Sequence, residues 1–131
     1  MKVIHCSGKR KRAVARATIR PGTGKVRIGK VPLDIYTPKM SRLKIQEPLQ
    51  IAKDSLKKFD INVTIFGGGQ SSQADAARLA ISRALVESDK SNEEIFLNYD
   101  RHLLVADVRR KETHKPNCHG KARSKRQKSY R

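Results

Sequence analysis

The run Lys9-Arg10-Lys11-Arg12, followed at every fourth position by Arg16 and Arg20, supplies cationic hydrogen-bond donors in the spacing of a row of phosphates. On a strand those arginines stand about 13 Å apart. A second group, Gly67-Gly68-Gly69-Gln70, allows two readings. It is either a tight turn that needs positive φ, or a set of backbone amides that approach a phosphate closely because no Cβ intervenes. A third group, Arg109, Arg110, Lys111, Lys115, Lys121, Arg123, Lys125 and Arg126, carries the cationic chemistry toward the C-terminus. The whole chain shares this bias: 30 Lys and Arg against 12 Asp and Glu leave a net charge of +18, so a polyanion is the expected partner.

Other chemistries fit poorly. Gly67-x-Gly69 resembles half of a dinucleotide fingerprint, but Ser72 stands where the third glycine belongs and no following strand completes the unit. Gly24-Lys25 is followed by Val26, and Ile19 occupies the position of the first glycine of a phosphate loop. His114, Cys118 and His119, with His5 and Cys6 far away, lack the Cys-x-x-Cys knuckle of a zinc site. They read instead as RNA contacts within the tail. Most acids lie singly among Lys and Arg and read as surface ion pairs, and no nucleophile, base and orienting group can be argued together. The expectation is a protein that is not an enzyme and uses no cofactor, metal or small-molecule substrate.

Cys6 and Cys118 are expected to be reduced thiols, because the start Met1-Lys2-Val3-Ile4-His5-Cys6 has no hydrophobic signal core. No apolar run is long enough to span a bilayer, and no helix carries a large apolar face beside a basic one. A cytoplasmic location and no membrane partner follow as expectations.

The elements that must position these groups are legible in outline. Ala13, Ala15, Ala17 and Ile19 share one parity while Arg12, Val14, Arg16, Thr18 and Arg20 share the other, predicting a half-buried strand. Its alanine side invites close approach by another element. Pro21-Gly22-Thr23-Gly24 is turn chemistry before the alternating Lys25-Val26-Arg27-Ile28, so residues 12–28 read as an antiparallel hairpin. Leu49, Ala52, Leu56 and Phe59 recur at helical spacing, with a helix start near Glu47 and Pro48 dividing two short helices. Residues 61–66 alternate into a strand that stops at the glycines. A helix follows, with Ala76 or Ala77, Ala80, Ile81, Ala84 and Leu85 as its apolar stripe and Arg78 and Arg83 on the surface. Asn92 is expected to cap a further helix, and residues 103–107 to form a last core segment.

Beyond this the composition changes. Residues 109–131 hold ten Lys or Arg, one acid, and no Ile, Leu, Val or Phe. Such a segment cannot bury enough apolar surface to offset its ordering entropy, so only a partner would order it. The expected organisation is one globular RNA-binding domain over residues 1–108 and a basic tail over residues 109–131.

The stretch from Gly67-Gly68-Gly69-Gln70-Ser71-Ser72-Gln73-Ala74-Asp75 to Arg83-Ala84-Leu85 closely resembles the signature of the universal small-subunit ribosomal protein nine family. Gly8-Lys9-Arg10-Lys11-Arg12-Ala13-Val14-Ala15-Arg16 and Pro21-Gly22-Thr23-Gly24-Lys25 resemble its opening, and Arg126-Gln127-Lys128-Ser129-Tyr130-Arg131 the end of its archaeal and eukaryotic branch. Thr113-His114 and Asn117-Cys118 depart from the basic residues and glycine more usual there. The resemblance implies a two-layer α/β (α+β) domain: a small mixed sheet covered by helices, a left-handed βαβ crossover, and an extended basic C-terminal tail. It implies a place in the head of the small subunit, with ribosomal RNA and neighbouring ribosomal proteins as partners. It also implies a tail whose last residues, Lys128, Ser129, Tyr130 and Arg131, reach peptidyl-site transfer RNA. The competing reading is a free-standing RNA-binding or chaperone-like module, which would be expected to show exposed aromatics on a sheet. The chain has three Phe and three Tyr, several at core-like positions.

Overall fold

The computed structural model describes residues 3–118 and 120–123. Strand β1 (Ile4–Arg10) and strand β2 (Ala13–Pro21) form an antiparallel hairpin around Lys11 and Arg12, with Lys11 at φ 53°. Short strands β3 (Val26–Ile28) and β4 (Val31–Pro32) follow. Next come α1 (Lys39–Ile51), the single turn α2 (Lys53–Leu56), β5 (Phe59–Phe66), α3 (Gln70–Ser88) and α4 (Ser91–Tyr99). The sheet has five strands in the order β1-β2-β5-β3-β4. It is mixed, because β3 runs parallel to β5 while the other pairs are antiparallel.

The expected two layers are present. Helix α3 packs on β1, β2 and β5, and α1 packs on α3. Buried Ala13, Ala15, Ala17 and Ile19 of β2, with Ile61 and Val63 of β5, meet the Ala76, Ala77, Ala80 and Ala84 side of α3. Small residues on both layers bring the backbones close. A Cβ placed on Gly8 would run into the Ala76 carbonyl and lie 2.7 Å from the Ala80 amide nitrogen. Phe96 of α4 is fully buried, and a ring removed from such a site typically costs about 3–5 kcal/mol.

Several local expectations are corrected. Residues 12–28 do not form a hairpin, because β5 lies between β2 and β3. The Asp60 carboxylate of β5 accepts the amides of Thr23 at 2.8 Å and Lys25 at 2.9 Å, so the Pro21–Gly24 turn carries the chain across β5 instead of folding it back. These bonds hold the Asp60 carboxyl below its ordinary range. Helix α1 neither starts at Glu47 nor breaks at Pro48. It begins at Lys39, passes through Pro48 and ends at Ile51, with Ser41, Ile45, Pro48 and Leu49 buried along one side. One missing amide donor is outweighed by that continuous packing. Phe59, expected on the helical stripe, opens β5 instead.

Asn92 is not the cap of α4 but lies inside its first turn, after Lys90 at the cap position. Asp89 Oδ1 accepts from the Ser91 amide at 3.1 Å and hydroxyl at 2.7 Å. Arg78 and Arg83, expected on the surface, brace the scaffold. Arg78 lies 2.7 Å from Glu47 and 2.9 Å from Asp100, and Arg83 donates to the carbonyls of Ser7 and Leu104, both at 3.0 Å. Leu103 is buried, but Val105 is 38% exposed, so the last core segment ends sooner than expected.

Candidate nucleic-acid interface

Two surfaces gather the basic residues. The first is a groove of about 1020 Å³ at one end of the sheet, lined by Lys11 and Arg12 of the β1–β2 turn, Gly68, Gly69 and Ser72, residues 109–114, and Lys121. Residues far apart in sequence converge here because β1, β2, β5 and α3 all present the same end. Members of all three groups noted in the sequence thus share one site.

The glycines have separable roles. Gly67 and Gly68 adopt φ of 67° and 69°, which favours the turn reading. A Cβ on Gly68 would lie 2.8 Å from the Ala13 Cβ and 2.9 Å from its nitrogen. Gly69 takes no such angle; it precedes α3 with φ −103°, and a Cβ there would meet nothing within 4 Å. No side chain caps α3 from that position, and Gln73 Nε2 instead donates to the Gly67 carbonyl at 3.0 Å. Helix α3 thus begins at the groove, which Gly69 and Ser72 line, with no side-chain cap and with the positive end of its dipole there.

The tail enters under control. Asp107 accepts from the Arg109 amide at 2.9 Å and from its guanidinium at 2.7–3.1 Å, while Arg10 approaches from β1 at 3.1 Å. The Arg109 hydrogen bonds, with the Arg10 charge, hold the Asp107 carboxyl well below the usual range. Arg10 also lies 3.9 Å from Asp75, so it turns back onto protein acids, alone in its run among the described residues. Further on, Arg123 grips Glu112 through two 2.7 Å bonds, which lower the Glu112 carboxyl. The Lys115 amide donates to the Lys121 carbonyl at 3.0 Å and Asn117 takes φ 61°, closing a small loop. Lys125, Arg126, Lys128, Ser129, Tyr130 and Arg131 lie outside the described residues.

The second surface is the open face of the sheet. Arg16 and Arg20 stand exposed there on β2, whereas Arg12 sits in the turn and belongs to the groove. The pairing register places Ser7, Arg16 and Thr64 in one row, and His5, Thr18, Asn62 and Arg27 in the next. A further row holds Lys9, Val14 and Phe66. Arg27, Asn62, Thr64 and Phe66 were not singled out from the sequence, and His5 was weighed there only beside the possible metal ligands. The parity of residues 61–66 carried the signal, since Ile61, Val63 and Ile65 claim the core side.

Of the possible metal ligands, His119 lies outside the described residues. Among the described residues no three His, Cys, Asp or Glu side chains form a group able to hold a metal. His5 Nδ1 lies 2.9 Å from the Thr18 hydroxyl, and the Cys6 thiol donates to Glu87 at 2.8 Å. Burial and that carboxylate push the Cys6 thiol up to about 12, so it stays protonated. Both cysteines are free.

An electropositive groove fed by a helix N-terminus, beside a cationic sheet face, suits a polyphosphate chain. Comparison with known proteins agrees: residues 8–131 match the family described as ribosomal protein S9/S16. The chain belongs to that family. As an S9/S16 ribosomal protein it is a structural component with RNA-binding character, not an enzyme. It is 49% identical over 134 residues to small ribosomal subunit protein uS9 of Methanococcus maripaludis, with 100% of both chains covered. The same protein of Methanococcus vannielii is 49% identical with equal coverage. The S9/S16 match takes in the strand, glycine turn, helix and tail that build the groove. No helix among the described residues is long and apolar enough to cross a membrane.

Proposed function

We propose that this protein is a structural constituent of the small ribosomal subunit in the cytoplasm, seated in the subunit head on ribosomal RNA beside neighbouring ribosomal proteins. In this reading the domain of residues 1–108 docks on RNA, and the tail of residues 109–131 threads between RNA strands. Its last residues, Lys128 to Arg131, reach the anticodon stem-loop of peptidyl-site transfer RNA. The full-length likeness to two small-subunit proteins supports the subunit assignment.

The observation that carries RNA docking is the convergence of Lys11, Arg12, Gly68, Gly69, Arg109, Arg110, Lys111 and Lys121 on one groove. Lys9, Arg16 and Arg20 extend the contact across the sheet, and Lys115 and Arg123 continue it along the tail. Arg10 serves instead to hold Asp107. Phosphate contacts of this kind position a protein on a folded RNA without reading sequence. Sucrose-gradient sedimentation of cell extract tests the assignment, with the protein expected at the small-subunit peak and in the heavier ribosomal fractions. Recovery mainly at the top of the gradient overturns it.

A further inference from the structure

The open sheet face carries one side chain that neither charge nor core packing accounts for. Of the three Phe, Phe59 is 7% exposed and Phe96 is fully buried, whereas Phe66 is 57% exposed at the end of β5. It faces away from the helical layer, as do exposed Asn62 and Thr64 on the same strand. Its partner across the ladder is Val14, whose other partner is Lys9, so an apolar pair is flanked by a cation. Arg16 stands in the adjacent row, and the groove-lining Gly68 follows two residues after Phe66. With Val14 as its cross-strand partner, Phe66 still leaves more than half of its surface to solvent.

Resting on the reading that this protein binds RNA, we propose that Phe66 is a stacking platform for one unpaired RNA base. The ring offers its face to the base, Val14 supports its inner edge, and Lys9 meets a flanking phosphate. The surroundings favour RNA over an apolar protein neighbour, because the register places Arg16 and Thr64 in the row beside the ring and Lys9 on the strand beyond Val14. An exposed aromatic among cations on an open sheet is the arrangement by which single-stranded bases are held, since every base has a π-face. The site selects unpaired nucleotides over duplex, whose bases are already stacked on one another.

The chain contains no Trp, so Phe66→Trp introduces a single indole reporter. The full-length variant is titrated with a dye-labelled unstructured oligoribonucleotide and, separately, with a blunt RNA duplex, reading indole emission and dye anisotropy together. The expected result is binding of both RNAs, with emission quenched only by the unpaired one. Phe66→Leu keeps the strand packing and removes the π-face. It should weaken the unpaired oligonucleotide about fivefold or more, leaving duplex affinity and the thermal melt unchanged. RNA binding with unaltered indole emission, and Phe66→Leu equal to the unsubstituted chain, overturns the platform while leaving RNA binding intact. No anisotropy change with either RNA removes the underlying reading instead. In assembled subunits, a blue-shifted but unquenched indole identifies a protein neighbour over the ring and also overturns the proposal.

Discussion

The Arg10 guanidinium lies 3.1 Å from the Asp107 carboxylate, so the first strand of the sheet grips the residue from which the tail departs. Asp107 in turn takes the Arg109 amide and guanidinium, which sets the direction of Arg110 and Lys111 into the groove.

Asp107→Asn removes the charge that both arginines share. Tryptic cleavage at residues 109–111 should accelerate about threefold or more while the domain melts as before. The pH dependence has a definite sign. The folded carboxyl is depressed, so its stabilising contribution is complete above the ordinary aspartate value of about 3.9 and is lost as pH falls toward the folded value. Hydrogen exchange at the Arg109 amide should therefore lose its protection only below about pH 4. Equal protection in Asp107→Asn and the unsubstituted chain at pH 7 would falsify the anchoring role.

The glycines predict opposite outcomes for adjacent substitutions. Gly68→Val forces a β-branched side chain into φ 69° and against the backbone of Ala13, so stability should fall by about 1–3 kcal/mol or more. Gly69→Ala meets open space at φ −103° and should melt within about 0.5 kcal/mol of the parent, any loss appearing in RNA affinity. Thermal melts by circular dichroism, paired with filter binding, separate the two. An undiminished melt for Gly68→Val would mean that its angle is not required by the fold.

Arg16 and Arg20 are exposed and make no ion pair with an acid among the described residues, so reversing them acts through charge. Arg16→Glu combined with Arg20→Glu should leave the melt unchanged and flatten the dependence of log affinity on log salt by about 1 for each phosphate no longer neutralised. An identical salt slope would show that the open face lies away from RNA.

Deletions divide the tail by role. Removing residues 109–131 deletes ten basic residues and one acid, a net +9. If about five of those charges meet single-stranded phosphate, the salt slope should shrink by roughly 3 to 4. Removing only Lys128 to Arg131 should leave incorporation into subunits nearly intact but weaken transfer RNA held in the peptidyl site. Filter binding of transfer RNA to purified subunits measures this directly, and full retention at every magnesium concentration would refute the endpoint proposed for the tail.

The sequence by itself determined the partner class, because net charge is a sum that folding does not alter. It also determined β2, β5 and α3, whose periods are strong enough for short-range pattern to dictate which side is buried. The family was likewise legible in the long motif after Gly67. Tertiary structure decided what depended on distant partners. Pro48 remains helical because Ile45 and Leu49 bury around it, and β3 leaves β2 because Asp60 captures the intervening turn. Identical cations also received different tasks: Arg78 and Arg10 face half-buried acids, while Arg16 faces outward. No local pattern distinguishes them, since each task is set by an acid or an open face contributed from elsewhere in the chain. Phe66 divides the two: the parity of β5 already sets it with Asn62 and Thr64 away from the core, while its row partners Val14 and Lys9 come from strands that only the fold brings alongside.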